Sequence, residues 1–263
     1  MMKVCKNAKR IVFKVGTSTL THENGKLNLR RIERLVTTLS DLKNMGREVV
    51  LVSSGAISAG CGRMGLEERP DTTSGKQAMA AIGQSELMRV YEHFFSMYGH
   101  AVGQILLTKE ETDNPKIWDN AKNTFNTLLS MDCIPIVNEN DSMSYEEIEF
   151  GDNDTLSAVV AKICGADCLV ILSDINGLYD SDPHSNPGAK LIEQVDEITD
   201  EIMSYAGGAG SARGTGGLIT KLHAAQIATE AGISMYIVNG EDPRILYKLC
   251  EGEKTGTYFS AGQ

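Results

Sequence analysis

The sequence predicts an α/β protein whose helices cover both faces of a mainly parallel sheet. Short runs of β-branched and other apolar residues alternate with amphipathic stretches along most of the 263 residues, which is typical of repeated strand–helix units. The run 168–172 is apolar at every position, as expected of a strand buried on both faces. Because crossovers between parallel strands are right-handed and return to the same sheet, these units predict a three-layer αβα sandwich.

The elements follow from the apolar pattern in chain order. Residues 11–15 form the first apolar run, and aliphatic residues from Ile32 to Leu42 then recur at helical spacing up to Gly46. The same reasoning predicts later strands at 49–52, 100–108, 134–138, 168–172, 234–238 and 257–259, and helices at 75–97, 115–131, 156–163 and about 215–231. No Pro-rich linker or repeat divides the chain, so we predict a single domain over residues 1–263.

Charge and composition exclude several classes of function. There are 35 Asp and Glu against 25 Lys and Arg, which gives a formal net charge of −10 and argues against a nucleic-acid binder or a protein of acidic membrane surfaces. Hydrophobic residues make up 41% of the chain, a globular value. No segment approaches the ~18 consecutive apolar residues of a membrane span, and residues 1–10 have no apolar core, so neither a membrane anchor nor an export signal is predicted.

The cysteines predict reduced thiols in a cytoplasmic protein. The six are scattered, with no C-x-x-C pair and no histidine at zinc-finger spacing. Cys164 ends a helical pattern and Cys168 opens an apolar strand, which favours core packing over metal binding. We therefore assign no metal-ligating residue.

The loops after the first two strands are candidates for chemistry, because ligands of such sheets bind beyond the carboxyl ends of the strands. Lys14 lies in an apolar strand just before Gly16, where a charge is costly without a partner. It is either a lysine whose ammonium reaches solvent or a cation aimed at a phosphate, with Gly16 letting backbone N–H groups approach. Ser54 follows the second strand without a G-x-S-x-G elbow, so we interpret it as a ligand contact or part of an ordinary turn.

The G-x-G-x-x-G match at residues 60–65 is interpreted as a coincidence. A dinucleotide fingerprint joins a strand directly to its helix, whereas this string lies about eight residues beyond the strand. The Walker string G-x-x-x-x-G-K-[ST] occurs nowhere in the sequence, which disfavours a Walker-type NTPase.

Two loops are rich in carboxylates and amides. Asn-Glu-Asn-Asp at 138–141 follows an apolar run, and Gly-Asp-Asn-Asp at 151–154 precedes a helix. Helix capping explains one of these residues but not all of them. They suit an amino group, a lysine to be oriented, or Mg²⁺, and the alternative is an ordinary acidic surface; EF-hand spacing is absent.

Two later loops suit a nucleotide. Ser-Asp-Ile-Asn-Gly-Leu-Tyr at 173–179 follows a buried run, and Gly-Thr-Gly-Gly-Leu-Ile-Thr-Lys at 214–221 opens a helix. A glycine loop, a helix N-terminus and a lysine in the first two turns together form an anion site, because N–H groups and the helix dipole favour negative charge there. A nucleotide phosphate fits this second loop better than a mobile linker does.

Together, these strings closely resemble those of the glutamate 5-kinase family, which has the amino-acid kinase fold. They are the strings at 14–18, 53–56, 138–141, 151–154, 173–179 and 214–221. The likeness spans nearly the whole chain, and Asn-Glu-Asn-Asp followed by Gly-Asp-Asn-Asp is its most particular part. The resemblance implies that ATP, with Mg²⁺, phosphorylates the γ-carboxylate of L-glutamate, giving glutamyl 5-phosphate and ADP in the first step of proline biosynthesis.

The resemblance also implies roles for individual residues. Lys14 and Lys221 would flank the transferring phosphoryl group, and Asp154 would hold the two ammonium groups in place. The implied substrate-binding residues are Ser54, Asp141 and Asn153. The implied nucleotide-binding residues are Lys14, Ser173, Asp174, Thr215, Gly216, Gly217 and Lys221. Such roles agree with phosphoryl transfer between two anions, in which fixed cations and Mg²⁺ supply most of the catalysis.

The resemblance leaves some expectations and alternatives. Many family members continue into a small C-terminal PUA domain, whereas this chain stops at Gln263, so we expect the kinase domain alone. The expected partners are L-glutamate, ATP and further copies of the chain, with no nucleic acid and no membrane. The alternatives are an N-acetylglutamate or carbamate kinase of the same fold, or a non-catalytic amino-acid sensor, which the presence of Lys14, Asp154 and Lys221 disfavours.

Overall fold

The structure, a computed structural model, describes residues 4–108, 114–143, 153–181, 183, 186–206 and 217–261. Its centre is one eight-stranded sheet with the strand order β3-β4-β2-β1-β5-β7-β8-β6. The strands are β1 (Arg10–Val15), β2 (Glu48–Val52), β3 (Val102–Leu107), β4 (Ile134–Glu139), β5 (Cys168–Ser173), β6 (Gln194–Val195), β7 (Ser234–Asn239) and β8 (Thr257–Phe259).

Helices connect these strands. Within the described residues they are Val4–Asn7, Thr17–Leu20, Leu29–Asn44, Ala56–Met64, Thr73–Ser96, Pro115–Ser130, Asn153–Cys164, Asp200–Ser204, Leu218–Glu230 and Ile245–Glu251. Local chemistry fixes several helix ends. The side chain of Asn28 caps helix Leu29–Asn44 by accepting from the Arg31 N–H, and Gly46 beyond its end takes a left-handed φ of 91° that a residue without a Cβ adopts at little cost.

The sheet is parallel over the six strands from β3 to β7, and two strands break the pattern. β8 pairs antiparallel with β7, and β6 pairs parallel with β8 at the outer edge. The sequence predicted a strand at 257–259 but not its direction, and it did not predict the two-residue β6. Nor did it predict the short helices Val4–Asn7, Asp200–Ser204 and Ile245–Glu251, because elements of two to seven residues give too little periodicity to detect.

Two hydrophobic cores lie on opposite faces of the sheet. Strand residues alternate between them: Phe13 and Leu51 face one core, and Val12 and Val50 face the other. The first core is covered by helices Leu29–Asn44, Ala56–Met64, Thr73–Ser96 and Ile245–Glu251, and the second by Pro115–Ser130, Asn153–Cys164 and Leu218–Glu230. The predicted three-layer αβα sandwich with a mainly parallel sheet is therefore confirmed.

Two glycines of the 60–65 string, Gly60 and Gly62, lie close to neighbouring backbone. Gly60 lies in helix Ala56–Met64, where a Cβ would overlap the carbonyl oxygen of Met79 in the neighbouring helix Thr73–Ser96. A Cβ on Gly83 of that neighbour would likewise overlap the carbonyl oxygen of Ala56. The string lies within helix Ala56–Met64 and at its C-cap, and not in a turn that joins a strand to a helix, so it is not a dinucleotide fingerprint, as predicted.

The described helices also bear on the membrane prediction. None of those in the ranges given above is long and apolar enough to cross a bilayer.

Candidate active site

The candidate site lies at the edge of the sheet where the parallel strands have their carboxyl ends. In the sheet, β2, β4 and β3 follow one another on one side of β1, and β5 and β7 lie on its other side. Strand order therefore reverses between β1 and β5, and ligands of open α/β sheets bind at such a point. The predicted Lys14, Ser54, Asp141 and Ser173 all lie at the ends of these strands or just after them.

Three charged residues from three elements meet at the centre of this edge. Lys14 Nζ of β1 lies 2.6 Å from Asp154 Oδ1, and Lys221 Nζ of helix Leu218–Glu230 lies 3.0 Å from Asp154 Oδ2. Asp154 is fully buried at 0% exposure, and the two lysines are only 4% and 5% exposed. The three predicted catalytic residues are thus in direct contact.

The fold explains how they meet. Lys14 lies two residues after Val12 on the same strand, so it points to the face covered by helices Asn153–Cys164 and Leu218–Glu230. Asp154 is in the first turn of helix Asn153–Cys164, where the helix dipole favours a carboxylate. The hydroxyl of Thr220 lies 3.1 Å from Asp154 Oδ2 and 2.8 Å from the carbonyl oxygen of Gly217. It therefore links the carboxylate to the N-terminus of helix Leu218–Glu230, which carries Lys221.

The charge of this cluster favours an anionic ligand. Two ammonium groups and one carboxylate give Lys14, Asp154 and Lys221 a formal charge of +1 in a site with almost no exposure to water. A Cβ on Gly16 would stand 3.8 Å from Lys14 Nζ, so the glycine keeps the space beside this ammonium open, as the phosphate interpretation of the sequence requires.

A network of amides lies on the β2 and β4 side of the lysines. Asn153 Nδ2 lies 2.6 Å from the carbonyl oxygen of Ser53, 3.0 Å from Ser54 Oγ and 2.8 Å from Asn138 Oδ1, so its two N–H groups are surrounded by acceptors. Asn138 Nδ2 donates in turn to Gln84 Oε1 at 2.8 Å. The network brings the predicted Ser54 and Asn153 together, one residue along the chain from Asp154.

A cleft of about 390 Å³ adjoins the amide network. Its walls come from helix Thr73–Ser96, from strands β3 and β4, and from the loop that follows β4. The polar side chains that line it are Gln84, Ser85, Gln104, Glu139, Asn140, Asp141 and Ser142. The predicted substrate residue Asp141 is therefore in this cleft.

The electrostatics of the cleft suit a cation. Burial raises the pKa of Asp141 to about 6, and the positive charge of Arg69 opposes that rise only in part. Above that pH Asp141 carries a negative charge in this cleft, close to the amides. An ammonium group of a small ligand would compensate that charge.

The opposite side of the lysines, at the ends of β5 and β7, has a different character. Ser173 Oγ donates to Asp174 Oδ1 at 3.1 Å, and Asp174 is exposed. The carbonyl oxygen of Ser173 accepts from the N–H of Gly240 at 2.7 Å. Gly217 immediately precedes helix Leu218–Glu230, while the predicted residues Thr215 and Gly216 lie outside the described residues.

The structure adds functional candidates that the sequence did not reveal. Gln84 belongs to the long helix Thr73–Ser96 and has no local motif. Asn239 Nδ2 donates to Asn176 Oδ1 at 2.8 Å and joins the loops after β5 and β7. Asn176 lies in the predicted loop at 173–179, and for Asn239 the local signal is the Asn-Gly pair at 239–240 directly after an apolar strand.

Comparisons with known proteins agree with this geometry. The model of the Amino acid kinase family matches residues 9–239. Two proteins named glutamate 5-kinase are similar over nearly the full length: that of Clostridium perfringens is 56% identical over 99% of this chain and 98% of its own, and that of Listeria monocytogenes is 50% identical over 99% and 96%.

A solved structure shows the same fold at low sequence identity. UMP kinase from Bacillus anthracis superposes with a TM-score of 0.66 at 16% identity, covering 97% of each chain. The match of the family model over most of the chain, together with these full-length relatives, decides the classification. The chain belongs to the amino acid kinase family.

Proposed function

We propose that this chain transfers the terminal phosphoryl group of ATP to the γ-carboxylate of L-glutamate, giving glutamyl 5-phosphate and ADP, the first step of proline biosynthesis. The observation that carries the proposal is the contact of Asp154 with both Lys14 and Lys221, at 2.6 and 3.0 Å. These residues have the amide network and acidic cleft on their β2 and β4 side and the ends of β5 and β7 on the other. The identity of 56% with a relative named glutamate 5-kinase supports the choice of substrate.

The two lysines act on the migrating phosphoryl group. Its transition state carries charge on the peripheral oxygens, and cations fixed before the reaction stabilise that charge without the cost of reorganisation. Lys14 serves from the sheet and Lys221 from the helix, so they approach the group from different elements. Asp154 keeps both ammonium groups at the spacing that the reaction needs.

The attacking carboxylate needs no general base. A γ-carboxylate has a pKa near 4 and is ionised at neutral pH, so the protein has to place it and compensate its charge rather than remove a proton. Asp154 is accordingly a positioning residue. Ser54, Asn153 and Asp141 hold the amino acid on the β2 and β4 side.

ATP occupies the β5 and β7 side. Ser173, Asp174 and the loop that leads into helix Leu218–Glu230, with Thr215, Gly216 and Gly217, hold the nucleotide, and the N-terminus of that helix favours its phosphates. Within the described residues, no group of three or more His, Cys, Asp or Glu side chains forms a metal cage. Mg²⁺ in kinases is bound through the phosphates with one or two carboxylates, and Asp174 is the carboxylate that would hold it here. The ion would neutralise charge on the phosphates.

The acidic cleft favours glutamate over its N-acetylated relative. An acetylated nitrogen is uncharged at neutral pH and cannot pair with the carboxylate of Asp141, whereas the free ammonium of glutamate can. The cytoplasm is the compartment that supplies both ATP and reduced conditions, and we propose a homo-oligomer there.

A hydroxylamine assay tests the proposal. Acyl phosphate formed from glutamate and ATP reacts with hydroxylamine to give a hydroxamate, which iron(III) colours. We expect an ATP-dependent signal with glutamate and a much weaker one with N-acetylglutamate or carbamate. A stronger signal with either rival would overturn the choice of substrate, and no signal with any acceptor would favour a non-catalytic sensor.

A further inference from the structure

Gln84 lies between the cleft and the buried amide network. It belongs to helix Thr73–Ser96, lines the 390 Å³ cleft and accepts a hydrogen bond from Asn138 Nδ2 at 2.8 Å. The preceding residue, Gly83, is pressed against the backbone of helix Ala56–Met64. The backbone that carries Gln84 is therefore held firmly in place.

The orientation of the whole network follows from one backbone group. The N–H of Glu139 can only donate, and it points at Asn138 Oδ1 at a distance of 2.9 Å. That oxygen therefore faces Glu139 and Asn153, so Asn138 Nδ2 faces Gln84. Because this nitrogen is a donor, the atom of Gln84 that meets it is the carbonyl Oε1.

The same reasoning sets the free end of Gln84. With Oε1 turned inward to Asn138, the Nε2 group is turned toward the cleft with two N–H donors, and no acceptor within the described residues takes them. Donors suit an anionic oxygen. The cleft thus has carboxylates on the β4 loop for a cation and an amide donor on the facing helix for an anion.

We infer that Gln84 is a specificity-determining residue for the amino-acid substrate, and that its Nε2 donates to the α-carboxylate. This inference rests on the proposed function. The γ-carboxylate has to meet the lysines held by Asp154, and Gln84 is separated from Asp154 by Asn138 and Asn153. The opposite end of the substrate, with its α-carboxylate and ammonium, is therefore the end that reaches Gln84 and the acidic side chains.

The substitution Gln84→Glu separates this role from a structural one. A carboxylate at this position still accepts from Asn138 Nδ2, so the network is retained, but it cannot donate to the α-carboxylate and repels it. We expect the KM for glutamate to rise about tenfold or more, since a hydrogen bond to a charged group is worth that factor, with the KM for ATP and the melting temperature nearly unchanged. For glutamate α-amide, which has no α-carboxylate, we expect a much smaller rise.

Two further variants complete the test. Gln226 is exposed on helix Leu218–Glu230, so Gln226→Glu adds the same charge away from the cleft and should leave all parameters unchanged. Gln84→Leu removes both the N–H donors and the carbonyl acceptor of this side chain. It should lower the melting temperature, because the buried side-chain amide of Asn138 loses the acceptor of its Nδ2.

The outcomes distinguish this inference from the proposed function. A wild-type enzyme that does not phosphorylate glutamate overturns both. Normal wild-type turnover with an unchanged glutamate KM in Gln84→Glu, or with an equal KM increase for glutamate and its α-amide, overturns the assignment of Gln84 alone.

Discussion

Asp154 Oδ1 lies 2.6 Å from Lys14 Nζ while Asp154 Oδ2 lies 3.0 Å from Lys221 Nζ, so one buried carboxylate holds two ammonium groups that are more than two hundred residues apart in the chain. The amide network of Asn138 and Asn153 lies on the β2 and β4 side of these residues, and Ser173 and Asp174 lie at the end of β5 on the other side. This relationship makes the lysines and Asp154 the first targets for substitution.

Replacing Lys221 tests its role in the transition state. Lys221→Met keeps much of the side-chain volume but removes the ammonium, and we expect kcat to fall 10²-fold or more, as for other lost transition-state donors, with a smaller change in the KM for glutamate. Steady-state kinetics measure this. Lys122→Met, at an exposed position of helix Pro115–Ser130, is the matched control and should behave as the wild type; unchanged turnover in Lys221→Met would remove this residue from the mechanism.

Replacing Asp154 should affect both stability and turnover. Asp154→Asn is nearly isosteric, but it removes the carboxylate that both buried ammonium groups contact, and breaking such a buried ion pair typically costs about 3–5 kcal/mol in the free energy of unfolding. Urea unfolding measures that loss. We expect ATP or pyrophosphate to restore part of the stability, because phosphates supply the missing negative charge; a variant as stable as the wild type would contradict the buried pairing.

The pH dependence of substrate binding tests Asp141. Burial raises the pKa of this carboxyl to about 6, so its negative charge is lost as the pH falls through that value and its attraction for an ammonium group is lost with it. We expect the KM for glutamate to rise on going from pH 7.5 to pH 5.5. In Asp141→Asn the KM should be high throughout, without this inflection, and an inflection that persists in the variant would assign the titration to another group.

The same shift predicts a change in stability. A carboxyl whose pKa rises from 3.8 when unfolded to about 6 when folded opposes folding fully above pH 6, by about 3 kcal/mol, and not at all below pH 3.8. Asp141→Asn should therefore be more stable than the wild type at pH 7.5, with the difference shrinking toward pH 4. Chemical unfolding at the two pH values measures this, and a variant that is less stable at pH 7.5 would contradict the burial argument.

Helix Thr73–Ser96 packs so closely against Ala56–Met64 that we expect a Gly→Ala substitution at the contact to destabilise the protein, although helix propensity alone favours alanine. Gly→Ala within a helix normally stabilises by about 1 kcal/mol, but a Cβ on Gly83 would overlap the Ala56 carbonyl oxygen. We expect Gly83→Ala to destabilise by at least about 2 kcal/mol. Gly99→Ala is the control, because a Cβ there meets no atom within 4 Å. Its only cost in the free energy of unfolding is that of an alanine at a φ of +77°, about 1 kcal/mol.

Hydrophobic periodicity and motifs predicted most of the strands and helices that position the candidate site. Buried strands such as β5 are apolar at every position, and the helix that ends before Gly46 carries its apolar residues on one face, so both are visible locally. The two lysines of the candidate site were also visible in the sequence, because Lys14 is a charge in an apolar strand and Lys221 follows a glycine loop. The resemblance, rather than the residues alone, identified Asp154 as their partner.

What the sequence missed depends on contacts distant in the chain. Cys5 and Cys250 have their sulfur atoms 3.6 Å apart although both were considered scattered thiols, and the direction of β8 depends on which neighbour it pairs with. Gln84 has no motif because its role comes from Asn138, fifty-four residues later. No local pattern encodes such pairs.

The most direct measurement of the central claim is a crystal structure with glutamate, MgADP and aluminium fluoride, which imitates the transferring phosphoryl group. Lys14 Nζ and Lys221 Nζ should both lie within hydrogen-bonding distance of the fluoride ligands, with glutamate on the β4 side and ADP on the β5 side. A complex in which either ammonium points away from the aluminium fluoride, while Asp154 still holds it, would contradict the account.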